Sequence, residues 1–145
     1  MTATAEDVMV EQTTEYGISV TVAAPFEQAV EMAREELAKE GFGVLADIDI
    51  AGALKKKLDV DFRPYLILAA CNPPLAHQAL QAERDIGLLL PCNVIVYAAD
   101  EEGRSVVAAM DPVAALSLTG NAAIDPLASE VKRRLERVLA AVERR

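Results

Sequence analysis

The chain has no tryptophan, a single histidine and only two cysteines, and aromatic side chains make up 4% of its 145 residues. Two cysteines cannot define a disulfide framework. With so few rings, the core must be built from Ala, Val, Leu and Ile. Long hydrophobic runs are also missing. Tyr65 to Cys71 and Gly87 to Cys92 are the longest, far short of the ~20 residues a membrane-spanning helix needs. Met1 to Asp7 offer no basic segment followed by an apolar one, so no signal peptide is expected. Positive charge is scarce: 14 Lys and Arg stand against 23 Asp and Glu, a net charge of −9. That balance opposes binding to nucleic acid and docking on an anionic membrane. The glycine-rich patterns that cradle nucleotide phosphates are absent, and so is the Gly-x-Ser-x-Gly elbow. A Ser-His-Asp triad would have to use His77 with Ser19, Ser105, Ser117 or Ser129, and none of these carries a supporting motif. The expectation is a globular domain of the reducing cytoplasm with free thiols.

What is present fits one folded domain over 1–145. Apolar residues are 52% and charged residues 26% of the chain, enough to bury a core without disulfides or metal. Tyr16, Ile18, Val20 and Val22 alternate with small or polar residues, the period of a half-buried strand. Pro25 marks a helix start, Phe26, Val30, Ala33 and Leu37 form one stripe, and Gly41 stops the helix. Phe42 to Ile50 alternates again, with Asp47 and Asp49 on the wet side. Ala53 to Leu58 reads as a short lysine-bearing helix. Tyr65 to Ala70, apolar throughout, suggests a buried central strand. Asn72-Pro73-Pro74 announces a helix to about Ala82, because Asn caps and Pro suits the first turn.

Gly87 to Leu90 reads as an apolar loop, and Asn93 to Ala98 with Arg104 to Met110 as a hairpin turning at Gly103. Val113 to Ala123 is ambiguous between a helical turn and a loop. Leu127, Val131, Leu135, Val138, Leu139 and Val142 define a final amphipathic helix over 125–143. Residues 1–12 are expected to be disordered or to add a short strand. The fold class is therefore α+β: one antiparallel sheet of four or five strands, in the order β-α-β-(α)-β-α-β-β-α, with helices mainly on one face.

The scarce reactive groups are grouped along the chain. Cys71 ends a strand just before the Asn72 cap, where helix N–H groups would favour a thiolate. The bland reading of the same residue is a small buried hydrophobe. His77 sits in the second turn of the next helix, and Cys92 opens the following strand. Cys71, His77 and Cys92, with Asp111 as a further carboxylate, are the candidate ligands for a soft ion such as zinc or copper, although Cys-x5-His-x14-Cys matches no standard zinc spacing. Cys71 with His77 as base is the candidate catalytic pair. Asn72 and Asn93 are candidate ligand-binding amides, and Lys57 and Arg63 candidate cations for an anionic ligand. Capping explains Asn72 fully, and the three consecutive lysines at 55–57 fan around a helix as ordinary solvated charge.

Five segments together resemble a known family. They are Gly41-Phe42-Gly43-Val44-Leu45, Leu54-Lys55-Lys56-Lys57-Leu58, Tyr65, Cys71-Asn72-Pro73-Pro74-Leu75-Ala76-His77, and Leu88-Leu89-Leu90-Pro91-Cys92-Asn93-Val94. The chain resembles domain-of-unknown-function family 302 from about Tyr16 to Met110. The resemblance implies an antiparallel sheet backed by helices and a homodimer, and it assigns no activity. It also implies that Cys71, Asn72, His77, Cys92 and Asn93 line one pocket. Three functions follow as expectations: a dimeric domain binding a small ligand or soft metal ion at that pocket, with Lys57 or Arg63 at its rim; a thiol-dependent enzyme or redox protein using Cys71; or a purely structural dimerisation module.

Overall fold

The computed structural model describes residues 10–145. Six strands form one fully antiparallel sheet in the order β1-β2-β6-β5-β4-β3. They are β1 (Glu11–Thr14), β2 (Gly17–Val22), β3 (Gly43–Asp49), β4 (Tyr65–Cys71), β5 (Cys92–Ala98) and β6 (Ser105–Met110). Five α-helices connect them: α1 (Phe26–Lys39), α2 (Ile50–Leu58), α3 (Pro73–Ala82), α4 (Pro112–Leu116) and α5 (Asp125–Arg144). The sixth strand, beyond the expected four or five, is β1, which pairs with β2 through a short turn. The rest of the expected N-terminal segment, residues 1–9, lies outside the described residues. No helix among the described residues is long and apolar enough to cross a membrane.

Period-two alternation sorts the sheet into two faces. Ile18, Val20 and Val22 of β2, Leu68 and Ala70 of β4, Val94 and Val96 of β5, and Val107 and Ala109 of β6 are buried. They meet the apolar stripes of α1 and α5, which pack on each other and across β2, β5 and β6. The α5 stripe carries Val131, Leu135, Val138, Leu139 and Val142 inward, as its 3.6-residue spacing requires. Helix α1 ends at Gly41, whose φ of +83° suits a residue without Cβ. A Cβ there would also press on the Asn72 amide.

Three expectations change. The strand from Tyr65 is not buried on both faces: only Leu68 and Ala70 are, while Tyr65, Ile67 and Ala69 stand half-exposed on the sheet's uncovered side. Its apolar run reflects that face rather than a second helical layer. Helix α2 begins at Ile50 because the Asp49 side chain accepts the Gly52 N–H and caps it, three residues before the expected start at Ala53. The ambiguous segment after Asp111 resolves into α4 and a 3-10 turn at Ser117–Thr119.

Candidate functional site

Two apolar clusters form in this fold, and a cavity lies in the seam between them. The larger cluster fills the space between the sheet and helices α1 and α5. The smaller gathers Ala79, Ile86, Leu116, Ile124 and Ala128 beside α3, α4 and the start of α5. Phe42, Ala70, Cys92 and Val131 of the first cluster face Ala79, Leu116, Leu90 and Leu127 of the second across a space of about 280 Å³. The seam stays open because small residues line it. Ala70, Ala76, Ala79 and Gly87 stand where leucines would close the gap.

Each wall has a local cause. Helix α3 is anchored by Asn72, whose Oδ1 accepts the Leu75 N–H at 3.3 Å while Nδ2 donates to the Glu40 carbonyl at 3.5 Å. This is the capping role expected of an Asn before two prolines. The helix then presents Leu75, Ala76, Ala79 and Leu80 to the cavity. In β3 the register passes from Val44↔Ala70 to Ala46↔Ala69, leaving Leu45 as the extra residue of a bulge. Leu45 borders the cavity and is 68% exposed. A cis Leu90–Pro91 peptide leads into β5 at the opposite wall.

The structure divides the expected site residues. Cys71, Asn72 and Cys92 border the same cavity. His77 does not. At 100° per residue it lies about 200° around α3 from the buried Ala79, so the imidazole is exposed on the far side of the helix. Asn93 is exposed because it follows the inward-facing Cys92 by one position and so turns to the uncovered face of the sheet, beside Tyr65, Ile95 and Tyr97. Lys57 and Arg63 are not at the rim either. They precede β4, whereas Cys71 ends it, and seven residues of strand put roughly 20 Å between those ends. Arg63 is engaged there with Asp100 at 2.7 Å and the Ala98 carbonyl at 3.0 Å. Lys55 bridges Asp59 and Asp61.

Among the described residues, no three His, Cys, Asp or Glu side chains lie where they could hold a metal ion. The Cys71, His77, Cys92 set proposed for zinc or copper is therefore not assembled. Asp111, its possible fourth member, is 4% exposed and committed elsewhere. Its Oδ1 accepts the N–H groups of Val113 and Ala114, and its Oδ2 accepts Lys132 at 2.9 Å. Cys92 is 7% exposed, and its thiol is pushed up to about 11, first by burial and then by the neighbouring Cys71. At neutral pH burial keeps it a protonated, small apolar side chain, whereas metal binding and nucleophilic attack both need the thiolate. With His77 outside the cavity, Cys71 meets no histidine base there.

The residues that sequence reasoning missed are the apolar ones: Ala76, Ala79, Leu116, Leu127 and Val131. The signal available was the small pair Ala76 and Ala79 on the inner stripe of α3, bracketed by Leu75 and Leu80. Helical periodicity marks that stripe as buried, but it does not show that the facing element leaves a gap.

Fold and cavity together define a small α+β domain with a one-sided antiparallel sheet and an apolar cavity at its helical end. The family model described as Domain of unknown function DUF302 matches residues 18–142, and the chain belongs to that family. Among solved structures it is similar to the uncharacterized conserved protein DUF302 from Bacillus stearothermophilus, with 29% identity and a TM-score of 0.80 over 88% of this chain and 98% of that one. No curated protein matches it.

Proposed function

We propose that this domain binds a small apolar ligand in the cavity between α3, α4, α5 and the ends of β4 and β5. The observation that carries this reading is a wall without a charged side chain around a space of about 280 Å³ that opens to solvent. That volume lies near the lower limit of small-molecule pockets, which run from about 300 to 1,000 Å³. A hydrated ion would find no charged group there to replace its water. A neutral fluorescent probe, N-phenyl-1-naphthylamine, tests the site. Ala76→Phe fills the cavity from α3 and should weaken probe binding about tenfold or more, because the probe and the new ring claim the same space. Ile95→Lys, on the other face of the sheet, should leave probe binding unchanged. Equal probe binding by wild type and Ala76→Phe removes the cavity as the site.

A second reading concerns the uncovered sheet face. Tyr65, Ile67, Ile95, Tyr97, Ala108 and Met110 form a charge-free surface there, and Tyr65 stacks on Tyr97 with ring centroids 5.4 Å apart. Two copies of a chain carrying −9 repel one another, and a face without charge is where they approach at least electrostatic cost. This supports a homodimer joined face to face. Sedimentation at micromolar concentration should give a dimer for wild type and a monomer for Ile95→Lys, which would bury an unpaired ammonium at the interface. A monomeric wild type sinks the idea. The free thiols fit a reducing compartment such as the cytoplasm.

A further inference from the structure

We infer that the group this cavity takes is an uncharged aliphatic tail whose polar end stays in solvent, an inference that rests on the cavity being the binding site. The chemistry of the wall selects the class. Asn72 is its strongest polar side chain, and both ends of its amide are turned to backbone, Oδ1 to the Leu75 N–H and Nδ2 to the Glu40 carbonyl. Both recorded hydrogen bonds of this amide thus serve the backbone, one at the α3 cap and one at the end of α1. The remaining polar side chains of the wall are the thiols of Cys71 and Cys92, weak donors at best. A guest with buried hydroxyl, amide or carboxylate atoms would lose their hydration without replacement. Methylene groups lose nothing, and they gain contact with leucine and alanine side chains.

The mouth selects the shape. Leu45, 68% exposed on its bulge, and Leu80, 44% exposed on α3, are apolar residues at the solvent boundary of the same cavity. Leu88, next to the lining residue Gly87, is 88% exposed. An aliphatic entry that opens to water lets a chain enter end-on while a head group remains hydrated outside. A hydrocarbon with no head group has almost no concentration in water, so a tailed molecule is the occupant that can arrive.

The test uses a homologous series of 1-alkanols from butanol to decanol, followed by amide chemical-shift mapping of the full chain. Affinity should rise roughly fourfold for each added methylene, equivalent to ~0.8 kcal/mol per buried CH2, and level off once the cavity is full. Shifts should gather at Ala76, Ala79 and Leu116. Leu80→Glu, a surface substitution that leaves the core untouched, should lower octanol affinity at least tenfold by placing charge in the entry. Affinity independent of chain length, or shifts gathered at Tyr65, Ile95 and Tyr97, overturns the tail. Xenon separates this outcome from failure of the site itself: xenon shifts at Ala79 without chain-length dependence leave the cavity standing and remove only the tail, whereas the absence of both removes the cavity too.

Discussion

Asp111→Ala should lower the stability of the fold by roughly 3 kcal/mol, the largest effect expected of any polar substitution in this chain. Two losses combine. The carboxylate caps α4 by accepting the Val113 and Ala114 N–H groups at 3.0 and 3.3 Å, and loss of such a cap costs about 1 kcal/mol. Its other oxygen holds Lys132 of α5, a side chain only 28% exposed. Removing one partner of a buried pair costs about 3–5 kcal/mol, and partial access of Lys132 to water reduces that to roughly 2 kcal/mol. Urea unfolding gives the value directly, and a loss below about 1 kcal/mol would show that the pair is idle. Lys132→Met should cost less, since Asp111 keeps both backbone donors. The effect reaches the cavity as well, because Asp111 ties α4 to α5 and so sets Leu116 against Leu127 and Val131.

The second large effect appears at alkaline pH. Cys92 has its thiol pKa raised from about 9.0 to about 11, with burial the larger cause and Cys71 the smaller. The folded state therefore holds the proton more tightly than the unfolded chain does. Its contribution to stability is complete below pH 9 and is lost as pH rises through 11. A shift of that size corresponds to roughly 2–3 kcal/mol across the window. Burial also raises Tyr65, helped by Tyr97 and Tyr16, so wild-type unfolding alone does not isolate the thiol. The comparison with Cys92→Ala does. Its stability should fall less steeply between pH 9 and 11, and parallel curves for the two proteins would mean that the Cys92 thiol ionises without cost. The same protonated state predicts slow alkylation of Cys92 at neutral pH in the folded protein.

Much of the architecture is legible along the chain wherever a local rule acts alone. Asn72 before Pro73-Pro74 caps a helix in any context, and it does so here. Gly41 ends α1, and the α5 stripe from Val131 to Val142 turns inward as its spacing demands. Misreadings occur where two faces or two elements compete. Tyr65 to Ala70 is apolar on both sides because one side meets α1 and α5 while the other is the uncovered face. That distinction depends on which helices return to the sheet. The thiols and the imidazole lie close in sequence, but a 200° turn of α3 sends His77 away. A one-residue alternation sends Asn93 to the opposite face from Cys92. The length of β4 removes Lys57 and Arg63 to its other end.

The sequence by itself determined the α+β class, the antiparallel strands, the Asn72 cap and, through its motifs, the family. The first three follow from hydrophobic period, capping and turn chemistry, which act within a few residues, whereas the family rests on the match of whole segments such as Cys71 to His77 and Leu88 to Val94. Only the tertiary structure decided that Cys71, Asn72 and Cys92 border an apolar cavity while His77 turns away from it, and that Asp111 pairs with Lys132. A cavity is a volume left unfilled between distant segments. Its existence depends on how Ala70, Ala76 and Ala79 face Leu116 and Leu127 across two clusters, a relation that no local pattern records.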